Sequence, residues 1–256
     1  MFVFPLSMAL PPLFEARLAS ARALTPSVRE LTFERLDGRA MVFEPGQWVN
    51  MVLPIAVAEA SDIKRSYSLA SAPDGTPRFS IAVTRVEGGP GSTWLHVAAP
   101  GTTLPFIGPQ GFFTRPAAST APSLLVATGT GVTPMRSMLL AAVAAGSRTP
   151  AWVLLGVRRE HDLLYGAELA ALAAEHSFVR FEATLSQPPE GWTGRRGYVQ
   201  THARALWEEL SALGADGSPP PHVFVCGLER MVGSMRELLR KDMGLPRQQV
   251  HSERYD

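Results

Sequence analysis

The stretch Ser123-Leu124-Leu125-Val126-Ala127-Thr128-Gly129-Thr130-Gly131-Val132-Thr133-Pro134 decides the fold of the second half of this chain. Its first six residues are almost continuously apolar and predict a buried strand, and the glycines after them predict a tight turn into a helix. We expect Thr133 to cap that helix and Pro134 to occupy its first position, because both residue types are favoured there.

Beyond this stretch, apolar strands alternate with helices. The predicted strands are 151–155, 178–185 and 222–226, and the predicted helices are 134–145, 164–174, 199–213 and 230–243. This alternation predicts a parallel sheet, of the Rossmann-like α/β type, that is covered by helices on both faces. Binding sites are then expected at the carboxyl ends of the strands.

The first half of the chain consists of short strands that are separated by turn residues. The predicted strands are 14–18, 28–33, 47–53, 65–71, 79–85 and 102–107, with one helix at 92–98. Alternating apolar and polar residues at this spacing predict a small antiparallel barrel or sandwich. Small residues and prolines at 114–122 indicate a boundary, so we predict one domain over 8–116 and a second over 120–256.

Composition limits the classes of function. The chain has 256 residues, enough for two domains, and its net charge of +1 provides no field that would attract nucleic acid. The N-terminal residues are apolar but lack a basic flank and are interrupted by prolines. We therefore expect neither a signal peptide nor a membrane span, and we expect a cytoplasmic location.

Cys226 is the only cysteine, which excludes an internal disulfide and any iron–sulfur cluster held by four cysteines of this sequence. The six histidines are scattered and lack the spacing of metal ligands, so no metal site is expected.

The turn at Gly129 and Gly131 predicts a phosphate site. It follows a strand and opens a helix, so glycine lets the backbone approach a pyrophosphate while the helix start supplies free amides. Pro134 stands where the usual dinucleotide fingerprint has its third glycine. We include Thr133 and Pro134 with the two glycines among the predicted cofactor contacts.

The run Arg65-Ser66-Tyr67-Ser68 predicts a second nucleotide site. On a strand, Arg65 and Tyr67 face one side, where they can hold a phosphate and stack on a flat ring. An ordinary edge strand with a solvated arginine is the alternative. The helix start after Gly88-Gly89-Pro90-Gly91, with Ser92 and Thr93 in its first turn, supports an anion site, although a capped helix needs no ligand.

At this point the chain resembles the ferredoxin–NADP reductase superfamily over about residues 14–255. The matching segments, in family order, are Pro45-Gly46-Gln47, Arg65 to Ser68, Gly89 to Ser92, Gly129 to Pro134, Cys226-Gly227 and Glu253-Arg254-Tyr255. The resemblance implies FAD held by a six-stranded antiparallel barrel and a pyridine nucleotide held by the second domain. It places Arg65 on the pyrophosphate, Tyr67 against the isoalloxazine and Ser68 near its N5 atom, with Gly91 and Ser92 supporting the pyrophosphate.

The resemblance also implies roles at the end of the chain. Cys226 and Gly227 would lie beside the nicotinamide, whereas without the resemblance Cys226 is equally a small buried hydrophobe. Glu253 would lie near the reacting ring and relay a proton, with Ser68 as the other candidate. Tyr255 would cover the flavin, but Asp256 follows it, and a frayed polar tail is the alternative.

The choice between NADPH and NADH stays open on sequence. Arg158 and Arg159 follow the second strand of the sheet, and Arg195 and Arg196 lie near Tyr198; such arginines can hold a 2′-phosphate. Family members that use NADP typically have Ser-Arg after the third strand, but this chain has Ser186-Gln187.

The resemblance implies an oxidoreductase that passes electrons between NAD(P)H and a one-electron acceptor such as ferredoxin or flavodoxin. The chain has no cluster cysteines of its own, so the acceptor is expected to be a separate protein. Two alternatives remain: the reductase component of an oxygenase system, and a non-catalytic flavin-binding electron-transfer subunit.

Overall fold

The computed structural model describes residues 11–55, 62–214 and 218–255. Its first half contains six strands and one helix: β1 Leu13–Thr25, β2 Val28–Arg35, β3 Trp48–Leu53, β4 Ile63–Ser68, β5 Arg78–Thr84, α1 Pro90–Val97 and β6 Thr103–Gln110. The strands pair antiparallel in the order β4-β3-β6-β1-β2-β5. A bridge between Leu69 and Ile81 joins the end of β4 to β5, so the two edges meet and the sheet closes. The predicted six-stranded antiparallel barrel is confirmed.

The barrel interior is filled by apolar side chains from alternating strand positions. Four phenylalanines, Phe14, Phe33, Phe79 and Phe106, contact one another with ring centroids 5.0–5.9 Å apart in stacked and edge-on pairs. Aromatic packing of this kind adds to the burial of apolar area and holds the strands in register.

The second half is a parallel sheet with helices. Its elements are β7 Ser123–Thr128, α2 Val132–Ala144, β8 Ala151–Val157, α3 Gly166–Glu175, β9 Val179–Leu185, β10 Arg195–Arg196, α4 Gln200–Ala212, β11 His222–Leu228, α5 Glu229–Glu237 and β12 Val250–Tyr255. The strand order is β10-β9-β8-β7-β11-β12, all parallel. The predicted α/β sheet is confirmed.

Both faces of this sheet are covered because successive strand residues point to opposite sides. Leu125 and Ala127 of β7 pack with α2 and α3, whereas Leu124 and Val126 pack with α4 and α5. Val28, on β2 of the barrel, belongs to the same apolar cluster as α2 and α3. The barrel therefore packs on the α2 side of the sheet.

The structure corrects the predicted start of α2 and the alternative of a frayed tail. Thr133 does not cap α2: Gly129–Gly131 forms a turn of 3-10 helix, Gly131 precedes the helix, and no side chain caps it. Pro134 is the third helical residue, a place it tolerates because an amide in the first turn would have no acceptor within the helix. The frayed tail is also wrong, because residues 250–255 form β12 at the edge of the parallel sheet, where exposed Ser252 and Arg254 alternate with half-buried Glu253 and Tyr255.

The last barrel strand ends at Gln110 and the first parallel strand begins at Ser123. The predicted ends at 116 and 120 fall between these strands, and the full bounds of 8–116 and 120–256 stay a prediction, with residues 8–10 and 256 outside the described residues. Within the described ranges, no helix combines the length and apolarity that crossing a bilayer would require.

Candidate functional site

Four predicted residues from both halves of the chain meet at the domain junction. Ser68 ends β4, Cys226 lies on β11, and Glu253 and Tyr255 lie on β12. The Ser68 hydroxyl donates to Glu253 Oε1 at 3.2 Å, and the Tyr255 hydroxyl donates to Ser68 Oγ at 2.5 Å. Tyr255 is also within hydrogen-bonding reach of the Cys226 thiol, and Cys226 stands opposite Glu253 in the parallel register. We refer to Ser68, Cys226, Glu253 and Tyr255 as the junction cluster.

Burial controls the protonation of the junction cluster. It raises the pKa of Glu253 to about 6, against the hydrogen bond from Ser68, which acts in the opposite direction. It also raises the pKa of the Cys226 thiol and of the Tyr255 hydroxyl above their usual ranges. Cys226 therefore stays a neutral thiol, unsuited to nucleophilic attack. Glu253 is the one member that changes charge close to neutral pH.

The predicted flavin strand lies at the edge of the barrel wall. Arg65 and Ser66 are exposed on β4, and Tyr67 is half-buried against the barrel core. The Ser66 hydroxyl donates to Asn50 Oδ1 at 2.8 Å, so this hydroxyl is engaged by the neighbouring strand. Burial raises the pKa of Tyr67 to about 12, which keeps its ring neutral and suited to stacking.

The start of α1 lies against this strand because of a glycine. A Cβ on Gly91 would lie 3.1 Å from Leu53 Cδ1 and 3.5 Å from Arg65 Cγ, so the helix start packs closely on β3 and β4 and leaves little room for a larger residue. The Ser92 hydroxyl holds its own loop, accepting from the Val86 amide at 3.0 Å and donating to the Gly89 carbonyl at 3.1 Å. The Arg65 stem thus lies beside the start of α1, and its guanidinium donates from Nη1 to the Lys64 carbonyl at 2.8 Å.

A groove of about 420 Å³ runs along the same helix start. It is lined by Ile55, Gly88, Gly89, Pro90, Thr93, Trp94 and Val97. The free amides of the helix start and the apolar wall of this groove fit a phosphate and a flat ring of a flavin dinucleotide.

Sequence reasoning missed the residue that holds the far end of α1. The Arg29 guanidinium donates from Nη1 to the carbonyls of Leu95, His96 and Ala98 at 2.9–3.1 Å. A cation at a helix C-terminus satisfies its free carbonyls and complements the helix dipole. No local pattern in β2 indicates this contact, because its partners lie more than sixty residues away.

The glycine turn of the second domain packs directly on β11. A Cβ on Gly131 would lie 2.2 Å from the Cys226 carbonyl oxygen, and one on Gly227 would lie 2.2 Å from Thr128 Oγ1. Gly129 has φ of +53° with open space around it. The buried hydroxyls of Thr128 and Thr133 have no hydrogen-bond partner among the residues that the structure describes. Close backbone approach and unsatisfied hydroxyls fit a site built for a nucleotide that runs past the turn.

The predicted ribose-phosphate residues divide into two groups. Arg159, with Glu160, His161, Gln187 and Pro189, lines a groove of about 520 Å³ at the ends of β8 and β9. The Arg159 Nε atom donates to Gln187 Oε1 at 3.3 Å. Arg158 is exposed nearby and Ser186 directly follows β9.

Arg195 and Tyr198 are placed differently. Arg195 is ion-paired with Glu182, which also pairs with Arg180, so a carboxylate already compensates its charge. Tyr198 is two-thirds exposed, at 66%. Arg159 thus lines a groove with the shape of a ligand site, whereas Arg195 is held by Glu182.

Comparison with known proteins agrees with this architecture. Residues 15–114 match the oxidoreductase FAD-binding domain, and residues 125–237 match the oxidoreductase NAD-binding domain. The fold and the site therefore define an FAD- and NAD(P)-binding oxidoreductase. The chain is 58% identical over 243 residues to ferredoxin–NADP reductase B of Sorangium cellulosum strain So ce56, covering 95% of this chain and 98% of that protein. It belongs to the ferredoxin–NADP reductase family.

Two further proteins are similar to this chain at lower identity. The toluate 1,2-dioxygenase electron transfer component of Pseudomonas putida is 28% identical, over 89% of this chain and 63% of that protein. A crystal structure of a ferredoxin NADP+ reductase from Neisseria gonorrhoeae with bound FAD and NADP superposes with a TM-score of 0.76, at 20% identity, over 94% of this chain and 98% of that one.

Proposed function

We propose that this protein transfers electrons between NADPH and a ferredoxin, with FAD as its bound cofactor. The observation that carries the proposal is the junction cluster, in which the end of the flavin strand and the end of the nucleotide-binding sheet share hydrogen bonds. When bound, FAD supplies a ring that takes two electrons from a reduced nicotinamide and passes them on one at a time. The 58% identity to a ferredoxin–NADP reductase over nearly its full length supports the same assignment.

Each half of the chain has a separate task in this proposal. Arg65 and the start of α1 hold the FAD pyrophosphate, and Tyr67 packs against the ring. The turn at Gly129 and Gly131 holds the pyrophosphate of the nicotinamide nucleotide. Cys226 closes the cleft with a neutral, apolar side chain, which excludes water from the place where the two rings meet.

Ser68 and Glu253 would carry the proton that accompanies electron transfer. Their hydrogen bond of 3.2 Å connects the end of the flavin strand to a carboxyl group whose pKa burial raises to about 6. Such a group can both release and accept a proton near neutral pH, as an acid–base relay requires.

The pH dependence of turnover tests this relay. When electrons leave for an acceptor, Glu253 must be ionised to accept the proton, so NADPH-driven reduction of ferricyanide is expected to rise as pH rises through about 6 and then level off. Glu253→Gln cannot ionise, and we expect a rate about tenfold to a hundredfold lower with no inflection near this pH. An unchanged inflection in the variant would remove Glu253 from the relay.

We further propose NADPH as the preferred nucleotide, because Arg159 lines the groove at the ends of β8 and β9, and its hydrogen bond there is to the neutral Gln187 amide, which a 2′-phosphate can replace. Arg159→Ala is expected to raise the KM for NADPH about tenfold to a hundredfold, because it removes one charge-assisted hydrogen bond to the 2′-phosphate. The KM for NADH should stay unchanged, because NADH has no 2′-phosphate. Steady-state kinetics with both nucleotides give the answer, and NADH serves as the internal control. Equal effects on both nucleotides would contradict the phosphate role.

The identity of the electron acceptor distinguishes the proposed function from a second candidate, the reductase component of an oxygenase system. Oxygenase electron transfer components are relatives at lower identity, and the chain spans 63% of the toluate component. We propose ferredoxin as the acceptor, since the relative with 58% identity is named a ferredoxin–NADP reductase and the match covers 98% of its length. Turnover with purified ferredoxin, flavodoxin and a terminal oxygenase, each at several ionic strengths, separates the alternatives. Faster turnover with the oxygenase would favour the second function.

A titration separates an enzyme from a non-catalytic flavin subunit. The purified yellow protein is titrated with NADPH and then with NADH without oxygen, and bleaching of the flavin absorbance is followed. Bleaching by NADPH at stoichiometric amounts supports the proposal, and a flavin that neither nucleotide reduces would refute it.

The cytoplasmic location of the protein stays a prediction.

A further inference from the structure

Arg136, on α2, contacts the barrel at the point where the flavin strand ends. Its Nη1 atom donates to the Ala70 carbonyl at 2.7 Å, and the next residue, Ser137, donates from its hydroxyl to the Ser71 carbonyl at 2.7 Å. Ala70 is two residues beyond Ser68, and α2 begins directly after the turn at Gly129–Gly131. Two adjacent helix residues thus hold two adjacent carbonyls of the other domain.

We propose that Arg136 is a positioning residue that fixes the distance between the flavin site and the nicotinamide site. The proposal rests on the proposed function, because it concerns electron transfer between those two sites. The flavin strand and the glycine turn belong to different domains, and the clamp formed by Arg136 and Ser137 is a short connection between them. A shift of this clamp moves the two sites relative to each other without changing either one.

Several groups contact the Arg136 guanidinium and fix its orientation, so that it can hold the two domains at a constant distance. Glu168 on α3 accepts two hydrogen bonds, from Nε at 2.9 Å and from Nη2 at 2.7 Å. The group stacks over the Tyr165 ring at 4.5 Å from its centroid, and the Arg136 side chain is only 12% exposed. A bidentate carboxylate pair that is also stacked leaves arginine one orientation, and lysine cannot reproduce it.

A second link connects the same arginine to the barrel wall. The Tyr165 hydroxyl donates to Glu30 Oε1 on β2 at 3.0 Å, and Arg22 on β1 donates to Glu30 Oε2 at 2.5 Å. Tyr165 has a positive φ of 55°, which costs free energy for a bulky residue and indicates that the tertiary contacts hold it there. Arg136 therefore lies at the centre of a buried polar network that reaches both domains.

The test compares Arg136→Lys with a matched control, Arg35→Lys. Arg35 also stacks on an aromatic ring, at 4.3 Å from the Phe14 centroid, pairs in bidentate fashion with Asp37 and is 12% exposed, but all its partners lie in the barrel. Stopped-flow reduction of the flavin at saturating NADPH is measured for both, with the Kd for NADP+ and the FAD content.

For Arg136→Lys we expect flavin reduction roughly tenfold to a hundredfold slower, because a misplacement of about 1 Å between reacting groups has this effect. FAD content and the Kd for NADP+ should stay at the wild-type values. The long-wavelength absorbance that stacked nicotinamide and flavin rings give should weaken. Arg35→Lys should keep the wild-type rate. Ser137→Ala removes one hydroxyl and should show the same pattern at a smaller amplitude, even where Arg136→Lys folds poorly.

The outcomes are distinguishable. A wild-type rate and wild-type ring absorbance in both Arg136→Lys and Ser137→Ala would overturn the clamp alone, as would losses of FAD or NADP+ binding that account for the slower rate. A wild-type protein whose flavin neither nucleotide reduces would overturn the proposed function and the clamp with it.

Discussion

Alanine at Gly131 is expected to lower kcat/KM for NADPH at least about a hundredfold. The added Cβ would lie 2.2 Å from the Cys226 carbonyl oxygen and 2.8 Å from Gly227 Cα, both backbone atoms that cannot turn away. Either the glycine turn or the end of β11 must move, and both form the nicotinamide cleft. Overpacking of this kind also costs roughly 1–3 kcal/mol of stability. FAD should be retained, since β4 and α1 are untouched.

The matched control is Gly233→Ala in α5. Gly233 is exposed on its helix with open space around the position of a Cβ, so alanine should leave activity unchanged and raise stability by up to about 1 kcal/mol. Kinetics with NADPH, flavin absorbance and thermal unfolding are compared for the two variants. A Gly131→Ala protein with normal kcat/KM would show that the close contact with β11 has no part in nucleotide binding.

Alanine at Ser68 is expected to slow reduction of the flavin by NADPH about a hundredfold, which corresponds to about 2.7 kcal/mol in the barrier. Ser68 accepts from Tyr255 at 2.5 Å and donates to Glu253 at 3.2 Å, so its removal breaks the connection between the flavin strand and the carboxyl group. Stopped-flow absorbance at saturating NADPH gives this rate directly. FAD content should stay close to that of the wild type, because Arg65 and α1 hold the phosphates.

Ser80→Ala separates this effect from simple loss of a buried hydroxyl. Ser80 lies on β5 of the same barrel and is as buried as Ser68, each being 6% exposed, but it is not part of the junction cluster. The control should reduce its flavin at the wild-type rate. Equal rates in the wild type, Ser68→Ala and Ser80→Ala would show that the Ser68 hydroxyl does not take part in the reaction.

Local sequence patterns predicted most of the fold. The apolar run of β7 and the alternation of β2 were read correctly because each strand reflects the burial of its own residues. The start of α2 was misplaced by two residues, since a glycine-rich turn permits several geometries and packing on β11 selects among them. The sequence left the structure of residues 250–255 ambiguous, because their polar side chains are compatible with an edge strand and equally with a solvated tail.

The sequence predicted the individual residues of the candidate site but not the contacts between them. The sequence and its family resemblance indicated Ser68, Cys226, Glu253 and Tyr255 separately. Nothing in the local patterns indicated Arg136, whose position on a helix facing the barrel shows only when the domains pack. Arg195 looked as suitable a phosphate ligand as Arg159 until the structure placed Glu182 beside it.

By itself the sequence determined two sheets, a glycine turn and a strand with a cation and an aromatic ring, because these depend on residues that are neighbours in the chain. The tertiary structure alone decided that Ser68 meets Glu253, 185 residues away, and that Arg136 holds Ala70. Such contacts follow from the burial of two apolar cores against each other. Packing brings the polar groups between the cores together, and local propensity carries no information about which groups meet.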